Sequence, residues 1–255
     1  MKKLLLELFL MSSVLAGAAS AQVFTNIDDS LNGWKPLCYL PACDPGGSGQ
    51  PTSESQTIDN NPPSKDGESM ELTFAGPAYT NVLAVFVGGQ DDKAVRFKTD
   101  VWFYVTSPAA QYEFDQALFS SSTGIEFMWG FQCDTVKQYW EIWNSQTGWV
   151  DTPFSCTTST ISLNTWHHLI KNDHRVAGDT GNCDGEPCMY FDNFVFDTQT
   201  YTLNTTEPAG PLPKGWKSAL ITQFQMNTGS EGGTPTEYVD LYNFSALETN
   251  ITPPR

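Results

Sequence analysis

Apolar and polar residues alternate with period two along much of the chain, which is the spacing of an extended strand whose successive side chains face opposite ways. In residues 111–119 (QYEFDQALF), Tyr112, Phe114, Gln116 and Leu118 share one face, while Glu113, Asp115 and Ala117 share the other. Residues 125–132 (IEFMWGFQ) repeat the pattern, with Ile125, Phe127, Trp129 and Phe131 against Glu126, Met128, Gly130 and Gln132. A longer run over 94–105 places Val95, Phe97, Val101, Phe103 and Val105 together. Similar runs recur at 70–74, 81–87, 139–143, 148–151, 166–171, 189–196, 218–226 and 237–247, with turn residues between them. No helical apolar period persists without a Gly, Pro or β-rich break. About a dozen short strands predict an all-β sandwich of two packed antiparallel sheets. Asp192-Asn193 is expected to turn a tight hairpin, since both residues tolerate positive φ. Residues 41–69 and 205–214, rich in Gly, Pro and small polar residues, read as irregular excursions.

Ahead of this region, Lys2, Lys3, an apolar stretch over 8–15 and Ala19-Ser20-Ala21 have the form of a secretory signal cleaved before Gln22. The expected organisation is therefore a signal over 1–21, one sandwich domain over 22–247 and a loose tail over 248–255. No later segment holds the roughly 18 apolar residues that cross a bilayer, so a secreted protein, extracellular or periplasmic, is expected. A net charge of −16 argues against nucleic acid and anionic lipid as partners and suits a neutral or cationic ligand. Six cysteines in an exported chain predict disulfides, and their spacing favours Cys38–Cys43, Cys133–Cys156 and Cys183–Cys188. Zinc is disfavoured, because neither short pair has C-x-x-C spacing. Asn204, Asn243 and Asn250 match the N-x-S/T acceptor pattern.

The candidate chemistry is concentrated between Gln111 and Val150, where acids and amides accompany six tryptophan or tyrosine rings. Flat rings stack on the C–H faces of sugars, and carboxylates and amides bond their hydroxyls. Glu113, Asp115, Glu126 and Gln132 are expected to supply polar contacts, and Trp140 and Trp149 stacking. Trp140 and Trp143 point opposite ways on one strand, and Trp129 reads as core. His167 and His168, as strand neighbours, cannot chelate one ion together and read as structural.

Residues 164–169 (NTWHHL), 189–196 (MYFDNFVF) and 237–247 (EYVDLYNFSAL) form an ordered trio that resembles the C-terminal half of concanavalin A-like lectin/glucanase jelly rolls, laminin G-like domains in particular. That resemblance implies a curved sandwich of roughly fourteen strands, with Glu113, Asp115, Glu126, Met128 and Gln132 on its concave, ligand-bearing sheet. Structural calcium is possible in such folds, with Asp179, Asp184 and Glu186 or Asp91-Asp92 as the acidic candidates. The superfamily holds binders and enzymes alike, so function rests on the site. Glu113-x-Asp115 resembles the E-x-D core of retaining glucanase strands, but the second glutamate on that strand is missing, and Glu126 could supply it from directly across a neighbouring strand. Glu126-Phe127-Met128-Trp129 also resembles the nucleophile strand of family 12 endoglucanases, with Glu231 as the acid. The reading is a monomeric, exported lectin-like protein that binds polysaccharide. Its rivals are a glycoside hydrolase or polysaccharide lyase using Glu113, Asp115, Glu126 and Glu231, and an adhesion module with a protein ligand.

Overall fold

A computed structural model describes residues 21–35, 51–60, 63–178 and 181–248. The signal sequence, the Cys38–Cys43 pair, Asp179 and most of the C-terminal tail lie outside the described residues. Sixteen strands run through the described residues: β1 (Ala21–Phe24), β2 (Ser53–Asp59), β3 (Ser69–Ala75), β4 (Asn81–Gly89), β5 (Arg96–Ser107), β6 (Gln111–Ser120), β7 (Ile125–Trp129), β8 (Phe131–Asp134), β9 (Tyr139–Asn144), β10 (Gly148–Ser155), β11 (Trp166–His174), β12 (Cys188–Phe196), β13 (Gln199–Pro208), β14 (Gly210–Pro211), β15 (Ala219–Asn227) and β16 (Thr236–Leu247). They form an antiparallel β-sandwich of jelly-roll type. One sheet is ordered β13-β12-β11-β5-β16-β3-β2, with β1 on β16; the other is ordered β10-β9-β8-β6-β15-β4, with β7 on β6 and β14 on β7.

The two-residue period sets which side chains enter the core. Tyr112, Phe114 and Leu118 from β6 meet Phe97, Val101, Phe103 and Val105 from β5 across the sandwich, all but fully buried. Each such side chain contributes about 1.5–3 kcal/mol by leaving water. One polar cluster interrupts this core. Lys171 of β11 pairs with Asp173 at 2.9 Å, Gln116 donates to Asp173 at 2.5 Å, and Thr99 donates to Gln116 at 3.0 Å.

Several expectations shift. Asp192-Asn193 lies inside β12 rather than at a turn; the hairpin closes after Phe196, which pairs with Gln199, with Asp197 at φ 54°. Asp192 and Asn193 instead occupy a bulge, and their side chains bond His174 and Asn172. The irregular stretch over 41–69 contains β2, whose sequence SESQTID has too few apolar residues to announce an edge strand. The run over 125–132 is split at Gly130, where β7 gives way to β8.

Disulfides join Cys133 to Cys156 and Cys183 to Cys188, as the spacing predicts. No helix among the described residues is long and apolar enough to cross a membrane.

Candidate functional site

The outer face of the second sheet carries the odd-numbered residues of β6. Register aligns a polar row across it, Asp151–Glu141–Gln132–Glu113–Gln225, on β10, β9, β8, β6 and β15. Asp115 pairs with Gln223 in the adjacent row. Farther along β6 the face turns apolar, with Ala117 and Phe119 packed beside Leu83, Val85 and Ile221. Trp216, from the segment after β14, covers this patch and lies 4.9 Å from Phe119. Between the polar and covered halves opens a groove of about 420 Å³. Glu113, Asp115, Gly130 and Gln223 form its floor, with Trp143 and Trp149 on one wall and Pro211, Pro213 and Trp216 on the other.

The aromatic wall is held by the β9–β10 turn. Trp143 and Trp149 are directly paired in register and meet edge to face at 5.3 Å. Asn144 closes the turn by accepting the amides of Gln146 at 2.8 Å and Thr147 at 2.9 Å. Its side-chain nitrogen donates to Glu207 at 2.5 Å, and the Ser145 hydroxyl reaches the carbonyls of Pro208 and Ala209. The two walls of the groove are thus tied together. Gly130 is a steric requirement: a Cβ there would stand 2.7 Å from Trp143 Cβ and 3.1 Å from the Trp149 ring.

Three of the expected acids, Glu113, Asp115 and Glu126, line the one groove together with Trp149. Trp140 does not. It is fully buried, stacked on Phe131 at 4.9 Å and packed on Phe194. The cause is register: Trp140 lies opposite Cys133, whose side chain points into the core to meet Cys156. The alternating partner, Trp143, is the ring that reaches the groove. Gln132 is on the expected face but is enclosed, donating to Glu141 at 2.5 Å, and it does not line the groove. Glu231 is exposed in the turn before β16 and is also outside it. Glu126 pairs with Phe119 and Gly210, not with Glu113 or Asp115. It stands four residues along the strand from the position facing Asp115, about 13 Å at the strand rise, so the direct cross-strand carboxylate pair is not formed. Alternation leaves either Trp140 or Trp143 facing out, and it is Trp143 where Trp140 is expected, the parity imposed by Cys133 being the available signal; Trp216 and Gln223 carry no such signal in the sequence.

The acids are electrostatically unlike. Burial, followed by the neighbouring Asp115 charge, pushes the Glu113 carboxyl well above the usual range. Burial also raises Asp115, opposed by hydrogen bonds from Glu113, the Phe131 amide and Gln223 and by the charge of Lys171 behind the sheet. The two carboxyls are therefore unequal, with Glu113 raised further than Asp115. Asp115 Oδ1 accepts from Phe131 N at 2.9 Å and Oδ2 from Gln223 Nε2 at 2.5 Å. Burial alone pushes Glu126 up to about 7.

The histidines have structural partners. His167 is buried between Ser162 and Asp197, and His168 bonds Asp100 at 2.8 Å and stacks on Trp102. Asp184 and Glu186 are exposed, Asp91 bonds the Lys93 amide, and Asp92 bonds Ser122. Among the described residues no group of three or more His, Cys, Asp or Glu is placed to hold a metal ion.

No family model matches the sequence, and no curated protein matches it. Among solved structures, a family 11 carbohydrate-binding module from Clostridium thermocellum is similar at 13% identity, over 86% of this chain and 94% of that one, with a TM-score of 0.38. An alginate lyase from a Chlorella virus is similar at 10% identity, over 76% and 89%, with a TM-score of 0.44. Arcelin-5, a lectin-like defence protein from Phaseolus vulgaris, is similar at 10% identity, over 89% and 98%, with a TM-score of 0.48. Likenesses at this level leave ligand and reaction to the groove itself.

Proposed function

We propose that this chain is an exported, monomeric, concanavalin A-like protein that binds polysaccharide in the groove on its second sheet. The observation that carries this reading is the placement of Trp143, Trp149 and Trp216 around a floor of carboxyl and amide oxygens. Indole faces pack on the apolar faces of pyranose rings, while hydroxyls donate to the floor. A half-open groove with apolar walls and a few convergent polar groups is the usual form of a small-molecule or chain-binding site. Secretion through the signal over 1–21 and a single domain over 22–247 belong to this proposal; the two disulfides accord with an oxidising compartment.

A hydrolytic second reading rests on one observation, the adjacent buried Glu113 and Asp115 carboxyls, both raised, in a groove with a Glu126 raised to about 7. Perturbed carboxyls in a groove are candidates for acid–base work. The strand offset of Glu126 favours binding, because retaining hydrolysis needs two carboxyls about 5–5.5 Å apart.

Retention of the secreted protein on insoluble glucans, xylans and chitins tests the binding reading. Saturable retention without new reducing ends is expected, with loss in Trp149→Ala. New reducing ends that vanish in Glu113→Gln would favour the hydrolytic reading instead.

A further inference from the structure

Among the described residues, the charged side chains that line the groove are all acidic. Gln223 Nε2 donates to Asp115 at 2.5 Å, while its Oε1 is buried without a partner. Gln225 Nε2 donates to Asn227 at 2.8 Å. The Ser145 hydroxyl donates to main-chain carbonyls. The charged groups its floor and rim present are the carboxyls of Glu113, Asp115 and Glu126, beside the unpartnered Gln223 oxygen. Among the described residues no lysine, arginine or histidine lines the groove. Lys171 lies behind the sheet, fully buried against Asp173, and Lys137 is paired with Glu141 at 2.5 Å.

A ligand that suits this lining brings donors and positive charge. A carboxylate or sulfate brings neither and would bury charge against like charge, which is costly in a partly desolvated groove. An ammonium supplies three donors and one positive charge on a compact group.

We propose, resting on the glycan-binding reading above, that the groove prefers a cationic amino-sugar polymer, with the ammoniums of separate β-linked glucosamine units set against the Glu113 and Asp115 carboxyls beside Gln223 and against the Glu126 carboxyl farther along the groove, and its ring faces against the tryptophans. Neutral glucans bind more weakly and uronates are rejected. Because Glu126 holds a proton below about pH 7, docking an ammonium beside it releases that proton to solvent.

The test is calorimetric titration of the full secreted chain with four oligosaccharides of equal length: glucosamine, N-acetylglucosamine, glucose and mannuronate. A salt concentration of about 0.15 M limits attraction to the acidic surface as a whole, since free charges are then screened beyond about 8 Å. The glucosamine oligomer is expected to bind at least about tenfold more tightly than its N-acetylated counterpart, about 1.4 kcal/mol, with proton release seen as a dependence of heat on buffer. Glu126→Gln and Glu113→Gln are each expected to shrink that ratio toward one; both are near-isosteric, and thermal unfolding checks that each is folded. Equal or tighter binding of the N-acetylated or mannuronate oligomer would overturn the inference while leaving the glycan-binding reading intact. A preference that survives both variants would overturn it too, by assigning the effect to overall charge. Binding of none of the four would remove both.

Discussion

Asp115 and Lys171 grip the same break in the second sheet from opposite sides. Asp115, facing the groove, accepts the amide of Phe131 at 2.9 Å, while Lys171, inside the sandwich, donates to the carbonyl of Trp129. These two backbone groups flank Gly130, where β7 ends and β8 begins. Buried backbone groups released from a ladder need other partners, and here two charged side chains supply them. The break in turn leaves the hollow into which Trp143 and Trp149 pack.

Lys171→Met is therefore expected to destabilise the protein by about 3–5 kcal/mol, the usual cost of stranding one member of a buried pair, here Asp173. The double variant Lys171→Met/Asp173→Leu should recover part of that loss. Urea denaturation midpoints of the three proteins check both statements; a single variant as stable as the parent would show that the pair does not hold the break.

The tryptophans separate by role. Trp140→Ala should cost about 3–5 kcal/mol of stability, because a fully buried indole is removed. Trp149→Ala should leave stability nearly unchanged yet lower affinity for a bound glycan at least about tenfold, a loss of about 1.4 kcal/mol in binding. Denaturation and calorimetric titration on the same two proteins read out the difference.

Gly130→Ala drives a methyl group into Trp143 and Trp149. The expected result is a loss of about 1–3 kcal/mol of stability together with weakened glycan binding as the ring wall shifts. Near-ultraviolet circular dichroism, which reports on fixed tryptophan geometry, should change while the far-ultraviolet spectrum does not.

Stability should fall as pH rises. Burial pushes Asp28 up to about 7 and Asp173 up to about 6, and raises Glu237 and Glu113 as well. Each group binds its proton more tightly folded than unfolded. Its contribution is complete below the unfolded value of about 4 and is lost as pH climbs through the folded one, at about 1.4 kcal/mol per pH unit within that window. Asp100 runs the opposite way: burial raises it, but hydrogen bonds from His168 and Lys98 outweigh burial and leave it lowered. With these carboxyls raised, Asp115 and Glu126 among the others raised with them, against the one lowered, Tm should drop by several degrees between about pH 5 and about pH 8, and Glu237→Gln should flatten the slope. A Tm that rises over this range would contradict the assignment.

Much of this architecture was legible in the sequence because alternation is a local signal. The faces of β5 and β6, the acids on one side of Gln111–Ser120 and the disulfides at Cys133–Cys156 and Cys183–Cys188 follow from spacing and composition. Strand register is not local. Which of Trp140 and Trp143 faces out depends on pairing with Cys133, and the distance from Glu126 to Asp115 depends on how β7 slides along β6. Trp216 reaches the groove through a proline-rich crossing segment whose path no periodicity encodes. The polar edge strand β2 and the bulge at Asp192-Asn193 were hidden for a related reason, since neither buries a recognisable apolar stripe.

The central claim, that sugar binds between the tryptophans of the second sheet, is tested most directly by the indole N–H resonances in a nitrogen-15 NMR titration with a retained oligosaccharide. Signals of Trp143, Trp149 and Trp216, assigned through single Phe substitutions, should move in a saturable manner, while those of Trp102 and Trp166 on the opposite sheet stay fixed. Movement confined to Trp102 and Trp166 would place the binding surface on the wrong sheet and contradict the account.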